Sequence, residues 1–228
     1  MKKILFLTTG GTIASSSSEE GLVPSLTSEE ILHYLGEHHG DIEITCEDLL
    51  RLDSSNMQPE EWQLIARRIA EAKSGYDGIV LSHGTDTMAY TAGALSFMLR
   101  NLDIPLIITG SQLPLLHPLS DGVENIRVAF TAVCEDIQGV YVCFNRKIML
   151  ATRVVKVRTM NFDAFESVNI EPCGLVDARG LRIDVYKRQA INTDMKKEIH
   201  HVTFSASANV CESQILYLIM WTSLFIIS

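Results

Sequence analysis

The stretch ILFLTTGGTIA, residues 4–14, runs from an apolar segment into a loop of threonines and glycines. An aliphatic run of this kind, with no polar residue in alternation, is typical of a strand buried on both faces, as in a parallel sheet. The glycines that follow allow the backbone to turn or to approach a ligand closely. We therefore predict a strand over residues 4–8 that holds Thr12 beside a pocket. The apolar segment is shorter than the roughly 7–15 residues of a secretory signal peptide, which favours a cytoplasmic protein.

Similar apolar runs recur along the chain and alternate with helical patterns. They lie at 78–82, 105–109 and 139–144, with 42–50 as a half-buried candidate. Helical patterns begin near Thr27, Pro59, Asp86 and Ser120. This alternation predicts an α/β fold with a largely parallel sheet flanked by helices.

The alternation stops near residue 183, so we expect one domain over 1–183 and an atypical tail over 184–228. We expect that this tail is not native to the fold. Its apolar run, 215–227, is short for a membrane span, which needs about 20 residues.

Charge and motifs exclude several classes of function. The net charge is −9, which disfavours binding to nucleic acid or to an anionic membrane. The five cysteines show no metal-binding spacing and fit free thiols in a reducing compartment. The chain also lacks a dinucleotide fingerprint, a P-loop and the GxSxG motif of serine hydrolases.

Small polar residues follow each predicted strand. The segments are TTGGT (8–12), DSSN (53–56), SHGTDT (82–87) and TGSQ (109–112). Because ligands bind outside the carboxyl ends of parallel strands, we expect these loops to converge on one pocket rich in hydroxyl and backbone N–H groups.

Taken singly, these segments have ordinary structural interpretations. TTGGT is equally typical of a β-turn, and SSSS (15–18) of a solvated loop. His83 is more typical of a structural residue than of a base, and Asp86 is as well suited to cap a helix as to act in a site.

Such a pocket points to a threonine nucleophile. A threonine hydroxyl is weakly nucleophilic and needs a base and an oxyanion site. Lys156 is the best candidate for the base because its neighbours are apolar. It could act as one only if burial or positive charge lowered its pKa by roughly 3 units.

The ordered motifs resemble those of the bacterial-type L-asparaginases, and most of all their cytoplasmic type I branch. They are TTGGTIAS, DSSNMQPEEW, SHGTDTMAYTAGALSFML, TGSQLPL with SDGVENI, and VVKVRTMNFDAFESVN. The resemblance covers about residues 1–183. It implies hydrolysis of L-asparagine to L-aspartate and ammonia through an acyl-threonine, without metal or cofactor.

The resemblance also implies roles for individual residues. Thr12 matches the nucleophile, and Thr85, Asp86 and Lys156 match a second catalytic group, with Asp86 also pairing with the substrate's ammonium. A matching substrate-binding segment holds the α-carboxylate: Ser54, Ser55 and Asn56. Residues 15–24 match a closing lid.

The family's subunits continue into a second, smaller domain that completes the pocket of a partner subunit in a homo-oligomer. We expect that domain to be missing here. One alternative is therefore a catalytically impaired fragment that acts only as a subunit or interaction partner. Another is the ammonia-releasing subunit of a tRNA-dependent amidotransferase, which shares the fold and the motifs.

Overall fold

A mixed eight-stranded sheet forms the centre of the computed structural model, which describes residues 1–18, 21–24, 26–34 and 42–184. All described helices and strands belong to one compact unit, Met1–Ile183. In chain order they are β1 (Lys2–Gly10), β2 (Ser15–Ser18), β3 (Gly21–Pro24), α1 (Ser28–His33), β4 (Ile42–Leu52), α2 (Pro59–Ala72), β5 (Gly78–Ser82), α3 (Met88–Met98), β6 (Pro105–Thr109), α4 (Gly122–Val133), β7 (Gly139–Phe144), β8 (Lys147–Leu150), β9 (Val154–Lys156), β10 (Phe165–Ser167), β11 (Gly174–Asp177) and β12 (Gly180–Ile183).

The strand order places a topological switch point beside β1. The order is β4-β1-β5-β6-β7-β8-β11-β12, and the first five strands are parallel. From β1 the chain crosses to β4 on one side and then to β5 on the other. In open sheets a ligand crevice forms at the carboxyl ends of strands that flank such a reversal.

Apolar side chains hold this switch point rigidly. The β1 side chains from Ile4 to Leu7 are fully buried, and the Phe6 ring packs edge-on against Phe130 of α4, with centroids 5.5 Å apart. On α2, Pro59 occupies the first turn and Glu61 completes a capping box with Gln58. β1 and its neighbours therefore form a fixed base for the loops at their carboxyl ends.

The predicted parallel sheet is confirmed, and three strands have the predicted bounds: β5, β6 and β7. β1 and β4 extend beyond the predicted ends. α1 is capped by Thr27 and Glu30 as its sequence indicates, but it ends at His33. The predicted pattern, TSEEILHYLGEH (27–38), continues to residue 38, and its last four residues lie outside the described residues.

The interpretation of SSSS as a solvated loop is wrong. Its backbone forms β2, which pairs with β3 as an antiparallel hairpin, and Ser15 is buried with its hydroxyl donating to the Gly11 carbonyl at 2.8 Å. The polar composition gave no alternation by which this strand could be recognised.

The apolar run at 215–227 and the rest of the tail from 185 lie outside the described residues. Among the residues that are described, no helix has both the length and the apolar character of a membrane span. No disulfide joins the cysteines of this part of the chain; Cys143 is buried, and Cys46 and Cys134 are half-buried.

Candidate functional site

All four predicted loops meet at the switch point, and the TGSQ loop joins the one after β5 through the His83 N–H, which donates to the Thr109 carbonyl at 2.8 Å. A Cβ atom on Gly11 would lie 2.5 Å from the Cα and N atoms of Gly84, and a Cβ on Gly84 would lie 2.5 Å from the Ser54 Oγ. Gly11 also has a φ of +77°, a backbone angle that residues with a Cβ atom rarely adopt. Only glycine therefore allows the loops after β1 and β5 to touch, and the residues that follow this contact on the two loops are Thr12 and Thr85.

A lysine links two side chains of the turn after β5. Lys156, at the end of β9, donates from Nζ to the Thr85 Oγ1 at 2.9 Å and to the Asp86 Oδ1 at 2.7 Å. Thr85 is buried, and the Lys156 side chain is 12% exposed, whereas the Asp86 side chain is 63% exposed. The three residues form a connected group with one side open to solvent.

Gln112 completes this group, and sequence reasoning missed it. Its Nε2 donates to the carbonyls of Thr159 and Asn161, both at 2.9 Å, so the amide can be oriented in only one way. Its Oε1 therefore faces Thr85 and accepts the hydroxyl hydrogen at 3.0 Å. With that hydrogen committed, the Thr85 oxygen is left to accept hydrogen bonds from Lys156 and from one further donor.

The hydroxyl of Thr12, unlike that of Thr85, is not engaged in hydrogen bonds with the described residues. Thr12 begins a single 3-10 turn after β1 and is half-buried. Within the described ranges, no hydrogen bond to its Oγ1 is formed. Its hydroxyl is thus available to a substrate in a way that the Thr85 hydroxyl is not.

The predicted carboxylate-binding segment forms a 3-10 turn over Ser54–Asn56. Ser54 is buried, and its Oγ accepts from the Asp86 N–H at 3.3 Å, so it joins this turn to the one after β5. Ser55 and Asn56 are exposed, and the Ser55 hydroxyl donates to Asp53 at 2.8 Å. The structure brings Ser54 to the turn that carries Thr85 and Asp86 and leaves Ser55 and Asn56 exposed.

Asp86 is not a helix cap. The N-cap of α3 is Thr87, whose hydroxyl donates to the Ser54 carbonyl at 2.8 Å and accepts no N–H of the helix. The Asp86 carboxylate instead pairs with Lys156.

His83 is fully buried, which agrees with a structural role. Burial lowers the pKa of His83 to about 4, although a hydrogen bond with the Gly84 carbonyl acts in the opposite direction. A group with this pKa is neutral near pH 7 and exposes no nitrogen to the crevice. His83 is therefore a poor candidate for a general base.

A carboxylate and an amide shape the loop that carries Gln112. Asp121 accepts from the N–H groups of Gln112 at 3.0 Å and Leu113 at 3.2 Å. Asn125 of α4 donates to the Gly110 carbonyl at 2.9 Å and accepts from the Asn145 N–H at 2.9 Å. These contacts fix the backbone of the TGSQ loop.

A family model agrees with this architecture. The model described as Asparaginase, N-terminal matches residues 3–190. An L-asparaginase from Thermococcus kodakarensis is 49% identical over 73% of this chain and 51% of its own length, and L-asparaginase 1 of Escherichia coli is 44% identical over 75% and 52%. One of the subunits of a glutamyl-tRNA(Gln) amidotransferase from Saccharolobus islandicus is 40% identical over 76% of this chain and 42% of its own length.

Solved structures give the same result. The thermostable L-asparaginase from Thermococcus kodakarensis superposes with a TM-score of 0.74 at 45% identity, covering 79% of this chain and 56% of that one. A probable cytoplasmic L-asparaginase from Campylobacter jejuni gives 0.70 at 32% identity, with 80% and 57% covered. The chain thus spans about half the length of the relatives that it matches. On this match of sequence and fold, the chain belongs to the asparaginase family.

Proposed function

We propose that this chain carries the acylation site of an L-asparaginase, which hydrolyses L-asparagine to L-aspartate and ammonia. The observation that supports it most strongly is the group formed by Thr85, Asp86 and Lys156, together with the contact that joins its loop to the loop of Thr12, whose hydroxyl is uncommitted. Two hydroxyls in different hydrogen-bonding states suit two different roles, one as nucleophile and one as an acceptor in proton transfer.

In the proposed first step, the Thr12 Oγ attacks the side-chain amide carbon of asparagine. A C–O bond forms, and the carbonyl π electrons move to oxygen to give a tetrahedral oxyanion. The hydroxyl proton passes to the leaving nitrogen by way of the Thr85 group, the C–N bond breaks, and ammonia departs. Water then adds to the ester, which releases aspartate and returns the proton to Thr12.

The oxyanion would be met by backbone N–H groups at the contact between the two loops. The Thr85 N–H makes no hydrogen bond to any group in the described ranges. A positioned donor of this kind contributes about 10²–10³ in kcat. The exposed Asp86 carboxylate would pair with the substrate's ammonium, and the turn at 54–56 would hold its α-carboxylate.

The remaining features of the proposal concern the whole protein. We take residues 1–183 as the catalytic domain and the tail from 184 as foreign to the fold. A cytoplasmic location agrees with the similarity to the Campylobacter jejuni protein. A homo-oligomer, without metal or cofactor, is expected from the family.

A second candidate is the ammonia-releasing subunit of a tRNA-dependent amidotransferase. The 40% identity to the Saccharolobus islandicus protein favours it. The acidic net charge of −9 is less suited to contact with tRNA. Ammonia release that required glutamyl-tRNA would select this candidate over the free-standing hydrolase.

The test is ammonia release from L-asparagine by the purified chain, by Thr12→Ala and by Thr131→Ala as the matched control. Thr131 lies on α4 and is exposed, and among the residues described its hydroxyl bonds only the Arg127 carbonyl. We expect the wild type and the control to release ammonia, and we expect Thr12→Ala to release none. Equal turnover by all three proteins would contradict the proposal.

A further inference from the structure

A chain of hydrogen bonds runs from helix α2 to the turn that carries Thr85. The Trp62 Nε1 on α2 donates to the Thr91 Oγ1 on α3 at 2.8 Å. The same oxygen lies 3.0 Å from the His83 Nε2, and the His83 Nδ1 lies 2.7 Å from the Gly84 carbonyl oxygen. His83 and Thr91 are fully buried, and Trp62 is nearly so.

The donor and acceptor of each of these hydrogen bonds follow from which atoms carry a hydrogen. The Gly84 carbonyl can only accept, so the His83 Nδ1 carries a hydrogen. A charged imidazolium without a counter-charge is costly in such a site, so the ring is neutral and Nε2 accepts. Thr91 therefore donates to His83, and its oxygen receives the indole hydrogen of Trp62. All members are satisfied in a single arrangement.

The hydrogen bond from the His83 Nδ1 to the Gly84 carbonyl orients the peptide group between Gly84 and Thr85. This peptide is trans, like every other peptide bond in the described ranges, so its C=O and N–H point in opposite directions. A carbonyl held toward His83 sends the Thr85 N–H away from the buried ring. That N–H has no partner within the described ranges.

We infer that His83 is a positioning residue that aims the Thr85 N–H at the oxyanion of the reaction, with Thr91 and Trp62 anchoring it to the helices. The inference rests on the proposed function. The histidine of the HGTDT segment then acts through the backbone and takes no part in proton transfer. Of the two neutral tautomers of His83, only the Nδ1–H form can donate to the Gly84 carbonyl.

The experiment uses the full chain and four variants. Thr91→Val removes the donor to His83 with little change in volume, and Thr91→Ser restores it. His83→Asn keeps an N–H near the Nδ1 position and loses the acceptor. Thr131→Val, on α4, is the matched control for the threonine substitution.

In ammonia release, we expect Thr91→Val to lower kcat about tenfold, part of the loss seen when an oxyanion donor is removed, with KM changed less than about twofold. Thr91→Ser should recover most of kcat, and His83→Asn should lie between the two. The control should match the wild type. A change in KM alone, or an unchanged kcat in Thr91→Val, would overturn the inference.

A second readout does not depend on activity. In ¹⁵N-labelled protein, NMR should find the Nδ1–H tautomer of His83, and Thr91→Val should shift the Thr85 amide resonance while Thr91→Ser leaves it in place. The Nε2–H tautomer, or an unmoved Thr85 resonance in Thr91→Val, would overturn the inference. A wild-type chain that released no ammonia would count against the proposed function alone, and this readout would still decide the role of His83.

Discussion

Lys156 reaches the two groups that the proposed chemistry most needs to control. Its ammonium contacts the Thr85 hydroxyl and the Asp86 carboxylate from a side chain that is largely shielded from water. Shielding strengthens these contacts because the local dielectric is low. The lysine is thus placed to govern proton movement at Thr85.

Replacing Lys156 by methionine should therefore abolish most of the activity while keeping the packing of the aliphatic stem. We expect kcat/KM for ammonia release to fall at least about 100-fold, the usual contribution of a positioned proton-transfer group. Lys2→Met is the control, since Lys2 bonds the Cys134 carbonyl from the start of β1, at the end of the strand opposite to the crevice. Comparable losses in both variants would contradict the assignment.

At the level of single residues, the sequence motifs found most of the group around Thr85 but not all of it. Thr85, Asp86 and Lys156 were each expected in the pocket, and the structure brings them together. Gln112 lay in one of the predicted loops but had no distinguishing signal. Its partners at 159 and 161 are 47 and 49 residues away along the chain, in a loop whose path the sequence does not indicate.

At the scale of elements, the contact between two glycine loops builds the crevice. Gly11→Ala would place a methyl group against the Gly84 backbone and would force a residue with a Cβ to a φ of +77°. We expect a loss of at least about 2 kcal/mol in the free energy of unfolding, because neither backbone can move without disturbing a parallel strand.

Gly93→Ala is the matched control on α3. A Cβ at Gly93 would meet no atom within 4 Å, and alanine is the better helix former. The free energy of unfolding should rise by about 0.5–1 kcal/mol. Urea titration measures both, and a Gly11→Ala protein as stable as the wild type would show that the loops are not in contact.

Asp48 of β4 ties three elements together and should make stability depend on pH. It accepts from the Thr8 hydroxyl of β1 at 2.9 Å and from the Ser28 N–H, at the start of α1, at 2.7 Å. Burial tends to raise the pKa of Asp48, but the hydrogen bonds from Ser28, Thr8 and Arg51 outweigh it, and the pKa lies below its ordinary value. The stabilisation is therefore fully present above the unfolded pKa of about 3.9 and is lost as the pH falls through the folded value.

The variant Asp48→Asn should lower the free energy of unfolding by about 1–2 kcal/mol at pH 7, and the difference from wild type should shrink toward pH 3. Asp103→Asn, at an exposed position, is the matched control and should leave the free energy of unfolding at pH 7 close to that of the wild type. Urea titrations at the two pH values give the comparison. A difference between Asp48→Asn and wild type that grew at low pH would have the wrong sign for this account.

Sequence periodicity found the central strands but not the peripheral ones. β5, β6 and β7 are continuous apolar runs with glycine or proline at their start, a strong signal for buried parallel strands. Strands β8 to β12 have three or four residues each. The place of β11 in the sheet, for example, is set by its pairing with β8, where Gly174 lies opposite Ile148, and not by local pattern.

At the scale of the whole molecule, the matched part of this chain corresponds to about half the length of its L-asparaginase relatives. The proposed pocket is open on the side of Asp86, which is 63% exposed. We expect that a hybrid joining residues 1–183 to the remaining half of the Thermococcus kodakarensis relative releases ammonia faster than the chain by itself. The reason is that a covered site excludes water and strengthens its electrostatic contacts.

The comparison needs kinetics and molecular mass on the same samples. A Thr12→Ala version of the hybrid controls for any activity that the added half supplies. Equal turnover by the chain and the hybrid, at equal folded fraction, would show that the site of residues 1–183 is sufficient.

The central claim is that Thr12 is acylated. The most direct measurement is a mass spectrum of peptides from the chain after acid quenching during turnover of L-asparagine. We predict a gain of one aspartyl group on the peptide that contains Thr12, and no such gain in Thr12→Ala. An aspartyl group on the peptide containing Thr85, or ammonia release by a chain that never carries the adduct, would contradict it.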